Sequence, residues 1–312
     1  MENLDLEARR LLDGSLAKSS QATYRGGIGC FTDFRIEMRL NQEWPAPIGH
    51  VVHFIAFLSL GGKAPSTIQT YMSALSYVHK INGWVDPTSN FIVQKLKEGS
   101  KRLDRRVDSR FPITLNILGQ LLNSLPQICK SSYECCLFRA AFCLAFFGFL
   151  RVGEFSATSK KGDVSKILAV SDIKIDADQS CLKLLIRFSK TDQKGLSTTL
   201  QIGVGPNSTM CPVKTTGEFL SVRPGVDGPL FIHFGGDPLT RYQFSSILTK
   251  GIKAIGLSHE DFSPHSFRIG AATSAAMGGS SIDAIKCMGR WQSAAVNSYI
   301  RPHKVVLPIS WT

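Results

Sequence analysis

The sequence predicts a mainly α protein with a small antiparallel β-sheet, an α+β chain in two largely helical domains. Three observations carry that reading. Apolar residues recur at helical spacing over most of the chain, and the pattern turns to alternation only between residues 181 and 202. A strongly basic, apolar-poor stretch interrupts it near residue 105. At 312 residues the chain is long enough for two ordinary domains, each with its own core.

Taken in order, Ser19-Ser20 reads as the cap of a helix through Tyr24, Phe31 and Phe34, an aromatic spacing that keeps one face apolar. Pro45 and Pro47 break it. Val51 to Leu60 forms a second helix, ended by Gly61-Gly62. Pro65-Ser66-Thr67 opens a third, with Ile68, Met72, Leu75 and Val78 in register up to Asn82-Gly83, and a fourth covers Asn90 to Lys97. A bundle of four or five short helices is the expected product. From Lys95 to Arg110, seven bases (Lys95, Lys97, Lys101, Arg102, Arg105, Arg106, Arg110) face three acids (Glu98, Asp104, Asp108). Such a run reads as a solvated linker or as a basic strap across a sugar-phosphate backbone, and the two are compatible. The boundary is placed there, giving domains 1–105 and 106–312.

Beyond it, Pro112-Ile113-Thr114 enters a helix over Leu115 to Leu125, and a long apolar helix runs from Tyr133 to Leu150. Cys181 to Phe188 and Leu196 to Ile202 alternate and read as two strands joined by a polar hairpin carrying Lys190 and Lys194. Helices resume at Pro212 to Val222, Arg241 to Ile255, Ser266 to Met277, Ser281 to Met288 and Gln292 to Arg301.

Composition narrows the function. Hydrophobic residues at 43% and charged residues at 19% describe a soluble globular chain and exclude global disorder. With 36 Lys+Arg against 24 Asp+Glu the net charge is +12, which points to a polyanionic partner, unless the charge serves solubility alone. The most apolar stretch, Ala140 to Leu150, is too short to span a bilayer and has Arg139 and Arg151 at its ends, so no membrane role is expected. The eight cysteines include no CxxC pair and no zinc-finger spacing with histidine. Cys135, Cys136 and Cys143 lie in an apolar helix and read as small buried hydrophobes. With no signal-like N-terminal stretch, a reducing interior is expected, nucleus or cytoplasm.

The chemistry-bearing residues gather late in the chain. His265 and Arg268, at the start of a helix, share one face a turn apart, where the helix N-terminus favours a phosphate. Arg151 ends the apolar helix, and Glu154 either pairs with it structurally or orients it toward a ligand; both can hold. Lys190 is an ordinary surface lysine unless its hairpin reaches an active site, where an ammonium can protonate a leaving alkoxide. Tyr299 is a packed tyrosine or a nucleophile, whose ordinary pKa of about 10 would be offset by Arg151, Arg268 and Arg290. Alone, each motif is weak.

Together, Arg151, Lys190, His265-x-x-Arg268, Gly289-Arg290-Trp291 and Tyr299, in that order, resemble the tyrosine recombinases, or phage integrase family, over nearly the whole chain. The wording Gly-Arg-Trp…Tyr-Ile-Arg is similar to recombinases of eukaryotic mobile elements, the DIRS-like retroelements and Crypton-like transposons. The resemblance implies an N-terminal helical core-binding domain and a tyrosine recombinase catalytic domain, together forming a C-shaped clamp on duplex DNA. Lys97, Lys101, Arg102, Arg105 and Arg106 would contact that DNA. It further implies metal-independent DNA strand cleavage and rejoining through a 3′-phosphotyrosine on Tyr299, as in site-specific recombination or integration, with no cofactor. Arg151 and Arg268 would clamp the phosphate, Lys190 would act as general acid, and His265 would assist proton transfer or hold the phosphate. Double-stranded DNA and self-assembly on it, dimer to tetramer, are the implied partners. One position departs from the family, which usually has His or Trp directly after the glycine, nine residues before the tyrosine. That count lands on Arg290, with Trp291 beside it. An indole N–H that donates to phosphate while its ring packs on the tyrosine favours Trp291; Arg290 is the alternative. Two other readings remain: an inactive, domesticated DNA-binding protein of the same fold, and a topoisomerase of the related type IB chemistry.

Overall fold

Helices build the first unit, Met1–Asp108: α1 (Glu2–Gly14), α2 (Lys18–Glu37), α3 (Ile48–Leu60), α4 (Pro65–Ile81) and α5 (Phe91–Leu103). The computed structural model describes residues 2–106, 108–188 and 197–305. The core of this unit is aromatic. Phe31 and Phe34 of α2 meet Phe54 of α3 with ring centroids 5.1 and 5.2 Å apart, and Ile68, Met72 and Leu75 of α4 complete the cluster. A charge is buried beside it. Arg35 donates to the Glu43 carbonyl at 2.9 Å and its guanidinium lies over Phe31 and Trp44. Burial lowers its pKa, a cost these contacts offset in part.

Three details differ from the sequence reading. α1 precedes the first expected helix; its Leu4, Leu6, Leu11 and Leu12 remain exposed, so no buried face announced it. α2 starts at Lys18 with its cap position at Ala17, two residues before the expected Ser19, because the backbone leaves the extended region at Ala17, which offers no side-chain cap. The basic stretch is helical as far as Leu103, and Arg106 then folds back, donating to the Gly62 and Lys63 carbonyls at 3.1 and 3.2 Å. Those carbonyls lie just past the C-terminus of α3, where a cation is favoured.

The second unit is Ser109–Thr312. In chain order it holds α6 (Leu115–Ile128), α7 (Ser132–Phe147), the single turn α8 (Val152–Phe155), β1 (Ile173–Ile175), β2 (Cys181–Ile186), β3 (Thr198–Gly203), α9 (Pro212–Val222), α10 (Arg241–Ala254), α11 (His265–Met277) and α12 (Ile282–Met288). α7 is its axis. Leu137, Phe138 and every residue from Ala140 to Phe146 are buried, and α6, α9 and α11 pack around it. A stretch covered on all sides has no polar face to keep, hence the unbroken apolar run from Ala140 to Phe146 that follows Arg139. Ser131 caps it, accepting from Glu134 N at 3.1 Å. It ends at Phe147, three residues before the expected Leu150, because Gly148 closes it and Phe149 turns to φ +48°.

The three strands form an antiparallel sheet in the order β1-β2-β3, with Ile173 opposite Leu184 and Cys181 opposite Gly203. Leu182, Leu184 and Ile186 point inward to the core, which is the alternation visible in the sequence. β1 is only Ile-Lys-Ile, too short to carry a periodic signal. The last expected helix, Gln292 to Arg301, is instead a 3-10 turn over Ala294–Tyr299 started by Ser293.

α11 positions the candidate site. Phe267 is buried against Phe142 and Phe244, at 5.0 and 5.5 Å between ring centroids, which fixes the helix's rotation. Ile113 N donates to the Ser266 carbonyl at 3.0 Å, and a Cβ added at Gly270 would coincide with the Ile113 carbonyl. Glycine inside this helix, unfavourable by propensity, is what allows the close approach.

Candidate active site

Three guanidiniums and one carboxylate meet where α7 ends, α11 begins and α12 gives way to the tyrosine turn. Arg151 opens α8. Its backbone N–H donates to Glu154 Oε2 at 2.9 Å and its Nη1 lies 3.1 Å from Glu154 Oε1. Arg290 reaches the same carboxylate from the far end of α12, its Nη2 2.8 Å from Glu154 Oε2. Glu154 is 5% exposed and so bridges two cations out of water. The structural pairing of Arg151 with Glu154 is present.

Arg268 is fully buried and donates to the carbonyls of Phe149 and Gly289. Its guanidinium lies 4.2 Å from the Trp291 ring centroid and 5.7 Å from that of Tyr299. Burial above all, then the charges of Arg151 and Arg290, pushes its pKa down, against the pull of Glu154 and Tyr299. Arg290 is likewise lowered by burial, opposed by Glu154. Arg268 Nε, Arg290 Nε and Trp291 Nε1 are buried and have no hydrogen-bond partner among the described residues.

Two backbone outliers shape this cluster. Phe149 and Arg290 sit at φ +48° and +56°, conformations that cost about 1–3 kcal/mol each for a side-chain-bearing residue. At Phe149 the turn presents its carbonyl to Arg268 and Arg290. At Arg290 it separates two neighbours: the guanidinium goes to Glu154, while the Trp291 indole stacks toward Tyr299, ring centroids 4.7 Å apart. His265 also packs on the phenol, ring centroids 4.9 Å apart. Of the two candidates after the glycine, Trp291 touches the tyrosine and Arg290 backs Arg151 through Glu154.

Gly289 makes room for this. An added Cβ would fall inside the indole ring of Trp291. Gly289→Ala is expected to cost about 1–3 kcal/mol through overpacking and to swing the indole off Arg268 and Tyr299. Near-ultraviolet circular dichroism and thermal unfolding check this; an unaltered aromatic spectrum would show that the indole is not held there.

No protein-family model and no curated protein matches the chain. Solved structures do. A XerH site-specific recombinase bound to a palindromic difH substrate matches at TM-score 0.64 and 16% identity, covering 89% of this chain and 74% of that one. A lambda integrase tetramer bound to a Holliday junction matches at TM-score 0.63 and 17% identity, over 98% of this chain and 78% of that one. The Tn1549 transposon integrase in complex with transposon right end DNA matches at TM-score 0.60 and 14% identity, over 97% and 94%. The fold is that of the tyrosine recombinases.

In this recombinase fold Arg151, His265, Arg268, Trp291 and Tyr299 come together from positions spread over more than a hundred residues. Lys190 lies outside the described residues, in the segment 189–196 between β2 and β3. Lys97, Lys101 and Arg102 fall on α5 of the first unit, and Arg105 and Arg106 follow it. Residues with no sequence signal also pack around this cluster. Arg241 opens α10 so close to α8 that a Cβ added at Gly153 would lie 2.6 Å from its Nη2. Thr273 and Arg301 hold the backbone of the tyrosine turn. Among the described residues no group of three or more His, Cys, Asp and Glu is placed to hold a metal ion, and no helix is long and apolar enough to cross a membrane.

Proposed function

We propose that this protein cleaves and rejoins DNA strands in site-specific recombination, with Tyr299 as the nucleophile. The observation that carries the reading is surplus positive charge beside a phenol: three guanidiniums against one carboxylate, with buried donors on Arg268, Arg290 and Trp291 that meet no acceptor among the described residues. A scissile phosphate supplies both the opposite charge and the acceptor oxygens. The Tyr299 oxygen attacks phosphorus, His265 takes the phenolic proton, and the bond to the 5′-oxygen breaks. The strand's 3′ end then remains on Tyr299 as a phosphotyrosine, and the freed 5′-oxygen takes a proton from Lys190. Arg151 and Arg268 hold the non-bridging oxygens and stabilise the charge that builds on them. Return attack by a 5′-hydroxyl restores a phosphodiester, so the cycle uses no nucleotide triphosphate.

Complexes of XerH, lambda integrase and the Tn1549 integrase with DNA support duplex DNA as the partner, and the lambda tetramer supports assembly of several copies on it. The chain would act wherever its DNA is, in nucleus or cytoplasm, and the Gly-Arg-Trp…Tyr-Ile-Arg wording suits an enzyme of a eukaryotic mobile element. The test is covalent capture. Incubated with duplexes nicked at a fixed position and randomised around it, the full chain should yield a denaturant-stable adduct whose DNA-linked peptide contains Tyr299. No adduct, or linkage to another residue, overturns the reading. Retention of uncut duplex alone would identify a DNA-binding protein of this fold.

The basic segment gives a second measurement. Each phosphate neutralised adds about 0.9 to the slope of log affinity against log salt. Arg106 is already engaged by the Gly62 and Lys63 carbonyls, so neutralising Arg102, Arg105 and Arg106 together should lower the slope by about two contacts' worth, not three. An unchanged slope would make the segment a linker only.

A further inference from the structure

The turn that carries Tyr299 is locked to the helix that carries the phosphate ligands. Thr273, fully buried two turns beyond His265 on α11, donates its hydroxyl to the Tyr299 carbonyl at 3.1 Å. The Thr273 hydroxyl oxygen in turn accepts the Arg301 backbone N–H at 3.0 Å. The Arg301 side chain, 9% exposed, curls back so that Nε donates to the Ser298 carbonyl at 2.9 Å and Nη1 to the Arg110 carbonyl at 2.9 Å. Val296, at the middle of the turn, is buried in the core. Backbone atoms on both sides of the nucleophile are thus pinned to α11 and to the start of the second unit.

A buried guanidinium turned onto backbone carbonyls is a costly way to hold a turn unless the position matters. A 3-10 turn of six residues has little hold of its own on its last side chain. Its phenol must sit against Trp291, His265 and Arg268, all within one chain. We propose that Arg301 and Thr273 are positioning residues that hold Tyr299 in its attack position within its own subunit, before any partner copy or DNA arrives. This rests on the strand-cleavage reading for its consequence, but the clamp itself can be measured without cleavage.

The experiment pairs two readouts on the full chain carrying Arg301→Met, Arg301→Lys or Thr273→Val. Hydrogen exchange of residues 294–301 reports the clamp, and single-turnover adduct formation on the randomised nicked duplexes reports its consequence, with duplex affinity measured beside it. The clamp predicts faster exchange in that segment with α7 still protected. It also predicts adduct formation slowed on the order of tenfold to a hundredfold at unchanged affinity, as for a group misplaced by about an ångström. Arg301→Lys should recover part of the rate, since an ammonium reaches one carbonyl but lacks the fork. A merely structural role would lower rate, affinity and α7 protection together. Unchanged exchange, or faster exchange with a normal rate, overturns the proposal. If the wild-type chain forms no adduct, the cleavage reading fails, and the exchange data alone decide whether the clamp exists.

Discussion

A Tyr299→Phe chain should bind duplex DNA as the wild type does and form no covalent adduct at all. The substitution removes one oxygen and leaves the ring where it is, against the Trp291 indole and the His265 imidazole at 4.7 and 4.9 Å. Tyr299 is half-buried and its ring packs against the core, so the phenylalanine keeps those contacts, and stability should move by no more than about 1 kcal/mol. The surplus charge of Arg151, Arg268 and Arg290 is untouched, which is why affinity should hold. Activity, by contrast, should fall to the background of the capture assay, because a carbon-bound hydrogen cannot replace a nucleophilic oxygen. Denaturing gels of duplex incubated with each chain give the comparison. Adduct persisting in the phenylalanine variant would move the nucleophile elsewhere in the chain.

The residues of this site that were legible in the sequence are those whose types and order match a known family. His265, Arg268 and Tyr299 were weak signals singly and were named as a set with Arg151 through that resemblance, and the fold brings the three together, with the Tyr299 ring 4.9 Å from His265 and 5.7 Å from the Arg268 guanidinium. The buried part of α7 was legible from its pattern: Ala140 to Phe146 is wholly apolar because it is covered all round. What stayed hidden was set by backbone geometry. Counting from the tyrosine could not say which of Arg290 and Trp291 lies against it, because that depends on Arg290 adopting φ +56°, and arginine carries no signal for a left-handed turn. The same holds for Thr273 and Arg301, ordinary residues whose value lies in which carbonyls they meet. β1 and α1 were missed because one is three residues long and the other buries no leucine stripe.

Glu154→Ala should be the most damaging single change to the second unit short of breaking its core. Glu154 accepts from Arg151 N, Arg151 Nη1 and Arg290 Nη2 at 2.9, 3.1 and 2.8 Å while only 5% exposed. Without it, Arg151 and Arg290 lose the carboxylate they are paired to among the described residues, and Arg290, already lowered by burial, loses the charge that opposed that shift. Breaking a buried ion pair from one side costs about 3–5 kcal/mol, and the short helix α8 loses its cap as well. Glu154→Gln separates charge from hydrogen bonding. Its amide oxygen can still accept from Arg151 N, so it should cost less, about 1–3 kcal/mol. Sulfate or phosphate should then restore more stability to either variant than to the wild type, because an anion stabilises the state that binds it and the variants have more uncompensated charge to offer. Denaturant unfolding with and without sulfate decides it. Equal anion effects in wild type and variants would mean that Glu154 is not the charge balancing these arginines, and with that the reason for expecting a phosphate in their midst would weaken.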